Sequence, residues 1–291
     1  MKKRWIFFAA GLLLLGCNNE DDQPDAYGNF ESEPVMVSAQ SQGELKVFDV
    51  EEGSALKSGE IVGLTDTMQL HLKKAQLGAS VDAVKSRIVS AGAQVTVQKV
   101  QMENLQRELN RVQKLFSDGA ATEKQLDDIE GSVRLLEAQI QASTRQKNAI
   151  ASELQSISAQ SDQVDDQISK ALVTNPVTGV VLQKYKMEGE IVAPGQILYK
   201  IADLDRLILR AYISGNQLTE VKIGQEVNVN FDLQDGIGTL PGKVTWIASE
   251  AEFTPKIIQT REERVNLVYA MKVEVKNDGR LKIGMPGEVK F

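Results

Sequence analysis

From Leu77, apolar residues recur alternately four and three positions apart through Val84, Ile88, Val95, Leu105 and Leu109 to Phe116, with Gln98 the one polar member of the run. A second run of the same kind starts at Leu126 and passes through Ile140, Ile150 and Val164 to Ala171; eleven of its fourteen positions are apolar, the exceptions being Ser143, Lys147 and Ser161. An a/d repeat sustained over this length predicts two α-helices sharing one buried seam, a left-handed coiled coil. No proline stands between Pro34 and Pro176, so nothing breaks either helix. Between the runs lies Ser117-Asp118-Gly119-Ala120-Ala121, near the midpoint of residues 68–171. Gly119 suits a positive-φ turn, and Thr122 with Gln125 three residues on forms a capping signature for the second helix. The reading is an antiparallel hairpin with arms of ~48 residues, roughly 70 Å at the helical rise. Its polar seam positions fix register at some cost in stability.

On either side of the hairpin the period changes. Short β-branched runs punctuated by glycine occur twice, and Gly43, Gly53 and Gly59 return 136 positions later as Gly179, Gly189 and Gly195. The surrounding text agrees: Val50 to Ile61 reads against Lys186 to Ile197. Two such halves, neither able to bury its face alone, predict a small β-sandwich over 35–67 and 172–203, split by the hairpin at 68–171. From residue 204 to 291 alternating stretches such as Leu207–Ile213, Glu226–Phe231, Gly242–Ile247 and Leu267–Val275 predict a closed or nearly closed β-barrel of about six strands. The fold class is therefore α+β.

Composition narrows the chemistry. The chain has 291 residues and a formal charge of −7, falling to about −10 without the N-terminal segment, which argues against nucleic acid as a partner. With one Cys and one His, no thiolate or imidazole cluster can hold a metal, and no Ser-His-Asp or Cys-His arrangement is available without His71, which reads as a solvated helix residue. No G-x-x-x-x-G-K-[ST] loop is present, so the chain supplies no nucleotide energy itself. The reading is of a chain that is not an enzyme and needs no cofactor.

Lys2, Lys3 and Arg4 precede a ten-residue apolar stretch, Ile6 to Leu15, too short to span a bilayer but suited to a signal segment over 1–16. It ends in Leu14-Leu15-Gly16-Cys17, which resembles the bacterial lipobox, so Cys17 is the expected lipidation site. The polar run Asn18 to Asp25 opens an expected disordered tether over 17–34.

The glycine-punctuated halves resemble the lipoyl/biotinyl-type half-motifs of HlyD-like membrane fusion proteins, the periplasmic adaptors. The first half ends at Leu64-Thr65-Asp66-Thr67 without a lysine to modify, which disfavours a lipoyl or biotinyl carrier. At the hairpin tip, Arg111, Leu115 and Thr122 are spaced Arg-x3-Leu-x6-Thr. This resembles the family's Arg-x3-Leu-x6-Ser pattern for docking onto TolC-like outer-membrane channels, with Gly119 turning the chain between them. By that resemblance Arg111 would hydrogen-bond the channel, Leu115 would fill a gap between its helices and the Thr122 hydroxyl would bond locally. The stretch Ala251 to Lys256, then Thr260 to Arg264, and Gly284-Met-Pro-Gly-Glu-Val289 resemble the barrel of YbhG-type adaptors; Arg261 and Arg264 themselves read as a solvated face.

The resemblance implies an adaptor in the periplasm of a Gram-negative bacterium, lipid-anchored to the inner membrane. It also implies a homo-oligomer, a hexamer, bridging an inner-membrane transporter to a TolC-like channel. An ABC-type transporter is favoured because little sequence follows the barrel for a membrane-proximal domain; a resistance-nodulation-division pump is the alternative, and a structural envelope spacer a further one. No motif names the transported substrate.

Overall fold

A computed structural model describes residues 24–234, 236–253 and 267–291. Cys17 and its signal segment lie outside the described residues, as do Arg261 and Arg264 with most of the stretch around them. β1 (Ala26–Glu31) precedes a set of four strands, β2 (Val35–Ser38), β3 (Gly43–Phe48), β4 (Ala55–Leu56) and β5 (Ile61–Thr65). Two helices follow, α1 (Met68–Ser117) and α2 (Glu123–Lys170). A second set of four comprises β6 (Leu172–Thr174), β7 (Gly179–Lys184), β8 (Ile191–Val192) and β9 (Ile197–Ala202). The remaining strands are β10 (Arg206–Ser214), β11 (Glu226–Leu233), β12 (Gly236–Ile247), β13 (Glu252–Phe253), β14 (Leu267–Lys276) and β15 (Pro286–Lys290). The chain divides into two compact units, one built on the helices with the two four-strand sets, the other on β1 and β10–β15.

In the first unit the 136-residue repeat is literal. Shifting β3 by that offset gives β7, and β4 gives β8. The turn glycines agree as well, Gly53 and Gly189 at φ 85° and 87°, Gly59 and Gly195 at 82° and 85°. Their amides bond in matched pairs: Gly53 N to Val181 O and Gly189 N to Leu45 O, each 2.8 Å. The sheets run β2-β9-β7-β4 and β6-β5-β3-β8. Each sheet thus has a central pair from one copy flanked by strands from the other, so neither copy completes a sheet alone.

The symmetry breaks where polar groups enter the core. Asn175 and Tyr199 are fully buried at positions where the first copy has Ala39 and Gly63. Tyr199 donates its hydroxyl to Asn175 Oδ1 at 3.0 Å, and Asn175 Nδ2 donates to Lys57 O at 2.9 Å. Burial, with Glu60 nearby, pushes the Tyr199 phenol up from 10 to about 12.

The helices leave this module through a clamp. Buried Thr65 donates its amide to Ala171 O at 3.0 Å, and its Oγ1 lies 2.5 Å from Ser41 Oγ. Lys74 pairs with Asp165 at 2.5 Å and Arg87 with Glu153 at 2.9 Å, fixing an antiparallel register. Every predicted seam position from Leu77 to Val112 and from Leu126 to Ala171 is at least partly buried, with Val84, Val95, Leu109, Ile150 and Val164 deepest. Gln98 Oε1 is buried there with no partner, the one polar seam atom of α1 that is left unsatisfied.

In the second unit, β10-β1-β15-β11-β12-β14 closes through the β10–β14 pairing, with β13 added beside β14. Phe30, Leu209, Phe231, Met271 and Val289 fill the interior. A second repeat, unforeseen in the sequence reading, orders this barrel: Val221-Lys-Ile-Gly224 returns 60 residues later as Leu281-Lys-Ile-Gly284. The strands after these turns, β11 and β15, pair antiparallel with Val229 opposite Val289, so the turns close opposite ends of the barrel. Val221 and Leu281 are buried, while Ile223 and Ile283 are exposed. Gly224 N donates to Val244 O and Gly284 N to Phe30 O, pinning each turn to its neighbouring strand.

The barrel also corrects the expected tether over 17–34. Residues 26–31 are β1, paired with both β10 and β15, because Ala26 and Phe30 face the core and the ring cannot close without this strand. A Cβ on Gly28 would lie 2.0 Å from Arg210 O. Gly28→Ala is therefore expected to cost about 1–3 kcal/mol by overpacking, read as a lowered denaturant midpoint.

The Tyr199 shift has a defined sign. The neutral phenol is favoured in the folded state, so its contribution is complete below pH ~10 and is lost between pH 10 and about 12 as the unfolded chain ionises first. Tyr199→Phe should cost about 1 kcal/mol at pH 7 by breaking the bond to Asn175. It should also remove roughly 2 kcal/mol of alkaline destabilisation near pH 12, measured as denaturant midpoints at the two pH values.

Candidate functional site

The candidate site is the tip of the hairpin, where the seam ends and side chains lose their helical partners. α1 stops because Gly119 takes φ +74°, with Ala120 N donating to Leu115 O at 2.8 Å and Gly119 N to Phe116 O at 3.1 Å. These two bonds satisfy the last carbonyls of the helix, and the left-handed conformation they need favours glycine. α2 begins at Glu123, capped by Thr122, which lies three residues after Gly119. Gln125 N donates to Thr122 Oγ1 at 3.3 Å, and Thr122 N donates to Gln125 Oε1 at 2.8 Å. The Thr122 hydroxyl also lies 3.1 Å from Gln125 Oε1, so it is engaged within the cap.

Arg111 and Leu115 are one helical turn apart and share a face of α1. The Arg111 guanidinium reaches Glu108 at 3.2 Å yet its side chain is 71% exposed, an ion pair that holds it weakly. Leu115 is 41% exposed. Beside it an open groove of about 430 Å³ is lined by Val112, Leu115, Ala120, Ala121 and Ile129, with Glu108 and Asp128 at its rim.

Phe116 corrects the sequence reading. Its spacing put it at the end of the buried seam, but it is 41% exposed. The seam needs a facing helix, and α1 ends one residue later while α2 starts only at Glu123. Two large apolar side chains, Leu115 and Phe116, therefore stand next to each other at the tip. The heptad frame had absorbed Phe116; distance from the turn was the signal that could have separated it.

The structure thus brings Arg111, Leu115, Gly119 and Thr122 to one end of the hairpin, with Gly119 and Thr122 shaping it. Electrostatically the tip is divided, with Lys114 in the last turn of α1 and Glu123 in the first turn of α2, each suited to its helix dipole. His71, at the opposite end, is exposed. Among the described residues no group of His, Cys, Asp and Glu could hold a metal ion. No described helix is long and apolar enough to cross a membrane.

Thr122→Ala is expected to destabilise the start of α2 by about 1 kcal/mol, seen as faster amide exchange at residues 123–126, while Thr122→Ser keeps the cap.

No protein-family model matches the chain. Curated relatives are UPF0194 membrane proteins. YE2891 of Yersinia enterocolitica is 27% identical over 91% of this chain and 88% of its own length. YbhG of Salmonella paratyphi B is 25% identical over 94% of this chain and 90% of its own. Among solved structures, MacA from Actinobacillus actinomycetemcomitans superposes with a TM-score of 0.58 at 21% identity, covering 91% of this chain and 76% of its own. The periplasmic adaptor protein EmrA gives 0.50 at 16%, covering 91% and 97%. These structural likenesses speak to the fold, two long helices with β-sheets that are in part barrel-like. In sequence the chain is similar to UPF0194 membrane proteins, YbhG among them, and in fold it is similar to MacA and EmrA.

Proposed function

We propose that this protein is a periplasmic adaptor of a tripartite export system, linking an inner-membrane transporter, ABC-type in the first instance, to a TolC-like outer-membrane channel. The observation that carries the reading is the tip itself: Arg111, Leu115 and Phe116 stand exposed at the end of a hairpin some 70 Å long. A rod of this length serves to span a gap, and large apolar side chains at its end serve to dock. In this reading Leu115 and Phe116 enter gaps between channel helices, Arg111 exchanges Glu108 for an acceptor on the channel, and Gly119 and Thr122 keep the tip in shape. The Cys17 acyl group holds the chain at the inner membrane, and several copies, six by the family resemblance, act together. The protein works by binding and not by catalysis. The name of the periplasmic adaptor EmrA, with which it shares its fold, supports the same reading.

The test is site-specific photocrosslinking in cells from position 115, with export measured in parallel. The expected product is an adduct with an outer-membrane channel. Arg111→Asp combined with Leu115→Ser should reduce both adduct and export about tenfold or more, as loss of buried anchor residues does at other interfaces. If adduct and export survive that double substitution, the docking role is wrong. An adduct with an unrelated envelope protein would favour a structural spacer.

A further inference from the structure

The outer face of the barrel carries a row of side chains that the docking reading does not use. Strand register sets Tyr212 opposite Tyr27, Tyr27 opposite Glu288, Glu288 opposite Asn230 and Asn230 opposite Thr239. The row thus takes one residue from each of β10, β1, β15, β11 and β12, which neighbour one another in that order. Ala211, Ala26, Val289 and Val229, each next in sequence to a member of the row, are buried in the barrel, so alternation turns the row outward. Neighbouring strands lie about 4.8 Å apart, which makes the row a continuous strip.

The strip is engaged at one end and open in the middle. The Arg210 guanidinium lies over the Tyr212 ring at 6.0 Å and bonds Glu252 at 3.1 Å, so that ring is already covered. Tyr27 is 57% exposed, and among the described residues no ring or cation stacks on it. Thr239 donates its hydroxyl to Asn230 Oδ1 at 2.8 Å, while the Asn230 Nδ2 donors meet no acceptor among the described residues. The carboxylates of Glu288 and Asp232 form no ion pair there either. Asp232 stands opposite Ile237 in the next row. Between these strands lies a depression of about 90 Å³, lined by Tyr27, Asn230, Asp232, Ile237, Pro286 and Glu288.

We propose that this face binds a neutral saccharide containing an N-acetylated amino sugar, its acetamido group in the depression and its ring against Tyr27. Size sets the first limit. A cavity of about 150 Å³ takes a benzene, so this one takes a substituent of roughly four heavy atoms, which is an acetamido group. Chemistry sets the second. The acetamido carbonyl needs a donor, which Asn230 Nδ2 supplies, and its N–H needs an acceptor, which Glu288 or Asp232 supplies. Its methyl needs an apolar contact, which Ile237 and Pro286 supply. The polarised C–H bonds of the attached pyranose pack on the negative face of the open Tyr27 ring. Two carboxylates without cationic partners repel an anionic ligand, which leaves a neutral one. No residue of the hairpin enters the site, so the proposal stands apart from the export reading.

The experiment is isothermal titration of the full chain in detergent micelles with chitotetraose and with cellotetraose, which carries a hydroxyl where chitotetraose carries the acetamido group. Chitotetraose should bind, and cellotetraose should bind about tenfold more weakly or worse, because the polar groups of the depression are then left unpaired. Tyr27→Ala and Ile237→Ser should each weaken chitotetraose about tenfold, while Tyr27→Phe, which keeps the ring, should stay within about threefold of wild type. Circular dichroism identifies a Tyr27→Ala chain that fails to fold; Ile237 is 69% exposed, and its replacement then decides. A wild-type chain that binds neither saccharide, or both equally, overturns the proposal. So does chitotetraose binding that Tyr27→Ala and Ile237→Ser leave intact. Self-association that Tyr27→Ala weakens, in a chain that binds no saccharide, assigns the face to a second copy and overturns it as well. None of these outcomes bears on crosslinking from position 115, so the export reading fails or stands separately.

Discussion

The exchange of strands between the two copies of the 136-residue repeat is the constraint on which the hairpin-bearing unit depends. Each copy offers four short strands, one of them only two residues long (β4 in the first copy, β8 in the second), too little surface to be stable alone. Threading the outer strands of one copy onto the central pair of the other makes two complete sheets. Because the exchange must join residues on both sides of the insertion, it forces the ends of a 100-residue segment together. The bond from Thr65 N to Ala171 O marks that meeting point. Once the ends meet, an antiparallel hairpin is the compact way to accommodate two helices of nearly equal length.

The hairpin then follows from its own periodicity, and its tip from two local devices. Gly119 terminates α1 and Thr122 initiates α2, so the turn is short and its direction defined. That shortness leaves Leu115 and Phe116 without partners. Their exposure is thus a consequence of how the turn closes. Burial divides along the rod: seam residues hold it together, while side chains at the tip stay exposed.

The barrel rests on a different economy. Two Lys-Ile-Gly turns sixty residues apart plug opposite ends with Val221 and Leu281, and β11 and β15 meet at Val229 and Val289. The ring is completed by β1, at the N-terminal end of the described residues.

Much of this was legible in the residues. The a/d repeat, the absence of proline, the turn at Gly119 and the cap at Thr122 are local signals, and a coiled coil is a fold whose long-range contacts obey a local rule. The glycine offset likewise announced two equivalent halves, since glycine is retained where a turn needs it. What the sequence could not display was partnership between distant segments. Alternation along β2 to β5 says which residues face inward, but not that β2 and β4 belong to the other copy's sheet. The polar character of the first residues after Cys17 hid β1, because a six-residue strand among acidic neighbours is recognisable only from the ring it closes. Phe116 fitted the heptad and was exposed all the same, since burial depends on a facing helix that ends too soon. The chain by itself determined the two helices, their seam and turn, and the two repeated halves; the tertiary structure decided that β1 is a strand, which strands share a sheet and which apolar side chains at the tip remain open, because all of these depend on what lies opposite in space.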